Sequence, residues 1–204
     1  MTLRLDHLAV SAATLAEGVA WVEAALGVTM AAGGQHPGMA THNRLVSLGD
    51  LYLEVIAVDP AAPAPAHPRW FGLDRFSGSP RLTNWIARCD DLDAELAIGP
   101  PSAGVPVALA RGAYRWRMAV PGDGRLPFDG AFPALIAWQG AAHPTQALPD
   151  PGLRLIALEV VHPEAHALHA ALAGRLTDAR VTIAEGPQRL RAVISTPDGV
   201  RVLE

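Results

Sequence analysis

The sequence predicts an α+β protein made of repeated βαβββ-like modules, whose curved mixed sheet encloses a pocket and carries its helices outside. Three observations predict it. A strand-then-helix pattern opens near residues 3, 82 and 153. Further strand-like apolar segments follow each opening. The interval of ~70–80 residues is too long for a solenoid repeat and suits modules that pair their sheets.

In residues 3–10, Leu3, Leu5, His7 and Ala9 share one face of a strand, and Arg4, Asp6, Leu8 and Val10 share the other. Thr14-Leu15-Ala16-Glu17 is a capping box, hydroxyl and carboxylate placed to satisfy the free N–H groups of a first helical turn. Leu15, Val19, Val22 and Leu26 then form one helical stripe, and Gly27 stands where a left-handed C-cap belongs. Residues 42–48 and 51–58 read as strands. Residues 60–68 are proline-rich and stiff. The aromatic stretch Trp70 to Phe76 after them suits either a lid over a pocket or a loop packed on the sheet. The second opening is a strand over 82–88, then a short helix started by Asp90-Asp91-Leu92-Asp93 and stopped at Gly99, with strands over 113–120 and 133–138. The third is a strand over 153–161 and a helix with Pro163 in its first turn, carrying Leu168, Ala171 and Leu172 and ending at Gly174. Strands over 189–195 and 199–203 follow, joined by a Pro197-Asp198-Gly199 turn. The expected organisation is a first module over 1–59, a linker and aromatic loop over 60–80, a second module over 81–148 and a third, βαβββ-like module over 149–204, all in one structural unit.

The chain's 204 residues, 50% hydrophobic and 18% charged, supply a sizeable core and argue against disorder. No apolar run reaches the ~18 residues a membrane helix needs, and the N-terminus lacks a secretory pattern. A single cysteine, Cys89, excludes an internal disulfide, reads as a buried small hydrophobe and suits a reducing compartment, so a cytoplasmic location is expected. A net charge of −4 and scattered arginines argue against nucleic acid as a partner. Arg111, Arg115 and Arg117 lie around Tyr114 and Trp116; they suit either an anionic ligand or a solvated strand face. His162, His166 and His169 have helical spacing but lie off the apolar stripe, so they read as a solvated or partner-facing surface. No phosphate-loop or nucleophile-elbow pattern is present.

Leu5-Asp6-His7-Leu8-Ala9-Val10, the capped helix, Gly27 and Leu51-Tyr52-Leu53-Glu54-Val55-Ile56 resemble the first module of the vicinal oxygen chelate superfamily. The run Gly33 to Asn43, with Leu48-Gly49-Asp50 and Tyr52-Leu53-Glu54, resembles its glyoxalase-like domain group more closely, as does Leu135-Ile136-Ala137-Trp138 with His143-Pro144 downstream. The resemblance covers most of residues 3–145. It implies a cupped sheet that binds a small molecule, usually with a divalent metal held by the first and last strands of each module. Those positions fall on His7 and Glu54 in the first module, and on Asn84 and near Ala137 in the second, where the pattern departs from a ligand set.

The residues support His7 and Glu54 on their own terms. Tyr52, Glu54 and Ile56 share a strand face, and a carboxylate inside an apolar strand is costly to bury unless it is paired, hydrogen-bonded or on a metal. An imidazole on a neighbouring strand answers that need as a metal half-site, as an acid/base pair, or as a satisfied core hydrogen bond. His36 or His42 is a candidate third metal ligand, because a catalytic metal takes three protein ligands. Expected pocket residues are His36, Thr41, His42, Asn43, Tyr52, Asn84, Trp85, Trp116 and Trp138. Two functions fit: a lyase- or isomerase-type enzyme acting on a small oxygenated metabolite, and a non-catalytic small-molecule binding or sequestration protein with a degenerate metal site. Either is expected as a monomer or homodimer.

Overall fold

The computed structural model describes residues 2–204, and within them two sheets account for the strands. The first half runs β1 (Arg4–Ser11), α1 (Leu15–Leu26), β2 (Ala31–His36), β3 (Thr41–Ser47) and β4 (Tyr52–Val58). The second half repeats the order: β5 (Arg81–Arg88), α2 (Leu92–Ile98), β6 (Val105–Arg111), β7 (Tyr114–Val120) and β8 (Ala134–Trp138). Together they make an eight-stranded sheet in the order β2-β3-β4-β1-β5-β8-β7-β6. In each half the first strand lies parallel to the last, and the halves join where β1 and β5 pair antiparallel.

The C-terminal segment has the same element order, β9 (Arg154–His162), α3 (Ala165–Leu172), β10 (Val181–Glu185), β11 (Arg189–Thr196) and β12 (Gly199–Leu203). Its pairing differs. Here the first strand lies between β10 and β11 in a separate four-stranded sheet, β10-β9-β11-β12.

Strand alternation sorts side chains between two interiors. Leu8, Val10, Leu53, Val55, Trp85, Ala87 and Leu135 on the convex face pack with Val22 and Leu26 of α1 and with Leu155, Leu158, Leu190 and Ile194 of the small sheet. The concave face carries a second cluster, including Ile56, Ile86, Trp116, Met118 and Ile136. The Thr14 hydroxyl caps α1 by accepting from Glu17 N at 3.2 Å, and Gly27, at φ 69°, ends it by donating to Glu23 O. A cap of this kind contributes about 1 kcal/mol.

Three strands escape the sequence reading: β2, β6 and β10. All are edge strands. The helix expected to begin at Pro163 begins at Ala165, because β9 extends through His162, whose ring accepts from Glu164 N at 3.0 Å. His162 is therefore a buried strand residue, whereas His166 and His169 are exposed on α3. Among the described residues no helix is long and apolar enough to cross a membrane.

Candidate functional site

The pairing of β1 with β5 slips between Leu5 and His7, and Asp6 and His7 meet in one polar cluster instead of dividing between faces. Asp6 is fully buried. Its Oδ1 accepts from His7 Nδ1 at 2.6 Å, and its Oδ2 accepts from Trp138 Nε1 and His143 Nε2, both at 3.1 Å. Burial alone would raise this carboxyl. The hydrogen bonds and charges of His143 and His7 outweigh that and hold it well below the ordinary carboxylate range. A carboxylate accepts only, so it fixes the proton of neutral His7 on Nδ1 and leaves Nε2 free.

His7 Nε2 faces Glu54 Oε2 at 3.7 Å, so the imidazole of the opening strand and the carboxylate of the closing strand do converge. Tyr52, opposite His7 in the β1–β4 register, stacks on its ring with centroids 4.3 Å apart. Burial pushes the Tyr52 phenol well above its usual value, and the charges of Asp6 and Glu54 act in the same direction. Glu54 Oε1 accepts from Asn43 Nδ2 at 2.5 Å. Asn43 Oδ1 in turn accepts from Gly34 N at 2.8 Å and from an Arg111 Nη at 3.0 Å.

Arg111 ends β6, and β6 and β2 are the two outer strands of the eight-stranded sheet. Its bond to Asn43 and its 3.3 Å contact with His36 Nε2 therefore span the cup. Gly34 makes room, since a Cβ there would stand 2.5 Å from Arg111 Cδ. Arginine spacing around Tyr114 and Trp116 foreshadows one such contact. Arg117 instead pairs with Asp93 and Arg115 bonds backbone carbonyls, both in exposed settings. Burial lowers His36 to about 4; Glu54 opposes the shift and Arg111 adds to it.

A cavity of ≈30 Å³ lies among these groups, lined by His7, His36, Asn43, Tyr52, Glu54 and Arg111, with Trp116, Met118, Ile136 and Trp138 from the second half. Trp70 and Phe71 of the aromatic loop complete its wall, their rings stacked at 5.1 Å, and the His36 ring meets Trp70 edge-on. That loop covers the site. The volume suits one or two waters. Phe71 sits at φ 59°, a conformation that costs a bulky residue about 1 kcal/mol or more.

Four residues expected in the pocket lie elsewhere. Trp85 alternates onto the convex face, where it is fully buried and donates to Ala131 O at 2.9 Å. His42 falls between Thr41 and Asn43 and points away from the cavity; its Nε2 has no partner among the described residues. Thr41 stands behind His36, 3.2 Å from its Nδ1, beside a separate cavity of ≈190 Å³. Asn84 is on the concave face, but it lines another cavity, at the start of β5. Asp6 and His143 are site residues that the sequence reading did not place; Trp70 comes from the stretch read as lid or packed loop, and Arg111 from the arginines read as anion site or solvated face. For Asp6 the simple two-residue period was misleading, because the bulge breaks it.

The donor set does not fit a divalent metal. Where the resemblance implies ligands from the second half, the cavity is lined by Trp116, Met118, Ile136 and Trp138. Asn43 holds Glu54 Oε1 and the Arg111 guanidinium lies against His36, which leaves His7 Nε2 and Glu54 Oε2 as two ligand atoms where a catalytic metal takes three. A fixed cation and an apolar wall disfavour a second cation there. Among the described residues no group of three or more His, Cys, Asp or Glu side chains is arranged to hold one.

Two βαβββ halves joined through their first strands, with polar side chains gathered on the concave face, define the vicinal oxygen chelate class of fold. A family profile described as a glyoxalase-like domain matches residues 5–176, and the chain belongs to that family. No curated protein sequence matches the chain. Among solved structures it is similar to a hypothetical protein from Staphylococcus aureus, at 12% identity and a TM-score of 0.62 over 91% of this chain and 87% of that one. It is also similar to methylmalonyl-CoA epimerase from Mycobacterium tuberculosis, at 17% identity and a TM-score of 0.44 over 68% and 88% of the respective chains. The enzyme of that name from Streptomyces coelicolor aligns at 15% identity and 0.44, over 70% and 97%. The first likeness shows a shared fold, and none of the three assigns an activity.

Proposed function

We propose that this protein is an enzyme of lyase or isomerase type that moves a proton on a small oxygenated metabolite, with His7 as the acid/base group. The observation that carries the proposal is the buried Asp6–His7 pair, at 2.6 Å, which leaves Nε2 directed at Glu54 and the cavity. In the proposed step, His7 Nε2 takes a proton from a carbon next to a carbonyl. The C–H electron pair becomes the C=C bond of an enolate, and the carbonyl oxygen takes the negative charge. Asp6 steadies the imidazolium through Nδ1, Glu54 does so from the Nε2 side, and the Arg111 guanidinium supplies a fixed positive charge in the same cavity. Return of the proton to a different carbon or face gives isomerisation; loss of a β-substituent gives elimination. The step needs no metal.

The aromatic cover serves this chemistry by excluding water, which strengthens each of these charge interactions. The test is exchange of α-hydrogen for deuterium, followed by proton NMR in D₂O over a panel of small hydroxycarbonyl and dicarbonyl compounds, with protein treated with a chelator. The wild-type protein should catalyse exchange on at least one member. His7→Ala should lose about 10²–10⁴-fold of the rate, the usual worth of a positioned acid/base group. Exchange that survives in His7→Ala, or that disappears on chelation, contradicts the proposal.

One observation favours a non-catalytic binder instead: the second half offers the cavity an apolar wall where a chelating cup would place donors. On that reading a panel compound binds, no compound exchanges, and His7→Ala leaves affinity intact while Trp116→Ala and Trp138→Ala weaken it.

A further inference from the structure

A cavity larger than that of the cup lies outside it. It measures ≈340 Å³ and opens between the start of β5, the aromatic loop and the C-terminal sheet. Phe71 is common to both cavities and forms a shared wall. Two ties hold the crevice together across the chain: Leu82 N donates to Glu204 O at 3.3 Å, and Gln188 Nε2 donates to Asp129 O at 3.2 Å.

Its lining is unusual in charge. Arg75, Arg81, Arg125 and Arg189 all face it, against Asp129 and Glu204. The two acids are occupied: Asp129 pairs with Arg125 at 3.0 Å, and Glu204 pairs with Arg191, outside the cavity, at 3.2 Å. Arg81 bonds only the carbonyls of Ser77 and Ser79, while its guanidinium lies over the Phe76 ring at 4.4 Å. Arg75 and Arg189 have no acidic partner within 4.0 Å among the described residues. Three arginines without an acidic partner within 4.0 Å among the described residues therefore line one crevice.

Asn84 adds a second, independent observation. It lines the same cavity, is 1% exposed, and its Oδ1 accepts from Thr83 Oγ1 at 2.8 Å, leaving Nδ2 with no partner among the described residues. Leaving such a donor unpaired is costly, and a bound acceptor removes that cost. Phe71, Phe76, Leu126 and Leu190 supply apolar surface between the charges.

We propose that this crevice binds a small organic anion, its apolar body against Phe71, Phe76, Leu126 and Leu190, its anionic group on Arg75, Arg81 and Arg189, and an acceptor atom on Asn84 Nδ2. The assignment stands apart from the chemistry of the cup. A ligand here also presses on Phe71, and through its stacked neighbour Trp70 on the cover of the cup.

The probe is 8-anilinonaphthalene-1-sulfonate, with the uncharged N-phenyl-1-naphthylamine as its counterpart lacking the sulfonate, both titrated by fluorescence against the full chain. The sulfonate should bind with one-to-one stoichiometry, and about tenfold or more tighter than the neutral amine, as charge-assisted hydrogen bonds require. Arg75→Gln with Arg189→Gln should weaken it by a further factor of about ten or more. Asn84→Leu should weaken the sulfonate while leaving the melting temperature equal or higher, because it deletes an unpaired buried donor; a merely structural role for Asn84 gives the opposite melting result. His7→Ala should leave sulfonate binding unchanged. Equal affinity for the two probes, no binding of the sulfonate, an arginine double variant with wild-type affinity, or loss of binding in His7→Ala each overturns the assignment.

Discussion

Arg111, the last residue of one outer strand, donates to Asn43 Oδ1 at 3.0 Å and so ties the second half of the sheet to the first across the mouth of the cup. The same guanidinium lies 3.3 Å from His36 Nε2, and its charge is one reason the His36 imidazole stays neutral. Arg111→Met removes the charge and keeps most of the stem. The His36 titration, followed by NMR, should then move up from about 4 toward the ordinary value near 6.5. A His36 titration that stays in place would separate Arg111 from this role.

His36 also makes stability depend on pH. Its folded pKa, about 4, lies below the unfolded value of 6.5, so the unfolded chain binds the proton more readily between those values. Stability is complete above about 6.5 and falls as pH drops toward 4, by about 3 kcal/mol in all for this group. Urea unfolding from pH 7 to pH 4.5 should show the decline, and His36→Gln should flatten it.

Asp6 acts in a lower window. Its folded pKa is depressed, so its contribution is present above the unfolded value of about 4 and is lost only as pH falls below that. Asp6→Asn keeps the shape but turns an acceptor into a donor facing His7, His143 or Trp138. It should cost about 2–4 kcal/mol in urea unfolding at pH 7, the scale set by lost hydrogen bonds to a buried charge. A cost below ~1 kcal/mol would show that the network is not held by the carboxylate.

The C-terminal sheet is fastened by charge as well as by core packing. Glu95 on α2 is fully buried and accepts from Arg175 at 3.0 Å, while Arg175 also donates to Ala171 O. Arg175→Met strands a carboxylate in the interior and should destabilise by about 3–5 kcal/mol. Adding Glu95→Leu should recover much of that loss, because an apolar pair needs no compensation. A double variant as unstable as the single one would place the cost in geometry instead of charge.

What could be read from sequence follows how strongly burial constrains each segment. The central strands β1, β4, β5 and β8 have two covered faces or one sharply alternating one, and α1 carries its own cap and stop signals, so their residues announce them. β2, β6 and β10 lie at sheet edges, where exposure relaxes alternation; β2 holds two glycines and β6 holds Pro106. The convergence of His7 and Glu54 was legible because His7 keeps the parity of Ala9 beyond the bulge and Glu54 that of Tyr52 and Ile56. Asp6 was not, because a one-residue slip in β1 overrides its parity. Arg111 and His143 reach the site through contacts 68 and 137 residues away in sequence, which no local pattern encodes. Trp85 and His42 were assigned by residue type, and strand parity sends them to the other face.

Asp6 holds the proton of His7 on Nδ1 and turns Nε2 toward Glu54 and the cavity. Long-range ¹H–¹⁵N NMR correlation of the imidazole, on protein labelled at histidine nitrogen and at a pH where His7 is neutral, reads the tautomer directly. The expected spectrum shows a protonated Nδ1 and a bare Nε2, with that preference lost in Asp6→Asn. A proton on Nε2 in the wild-type protein would contradict it.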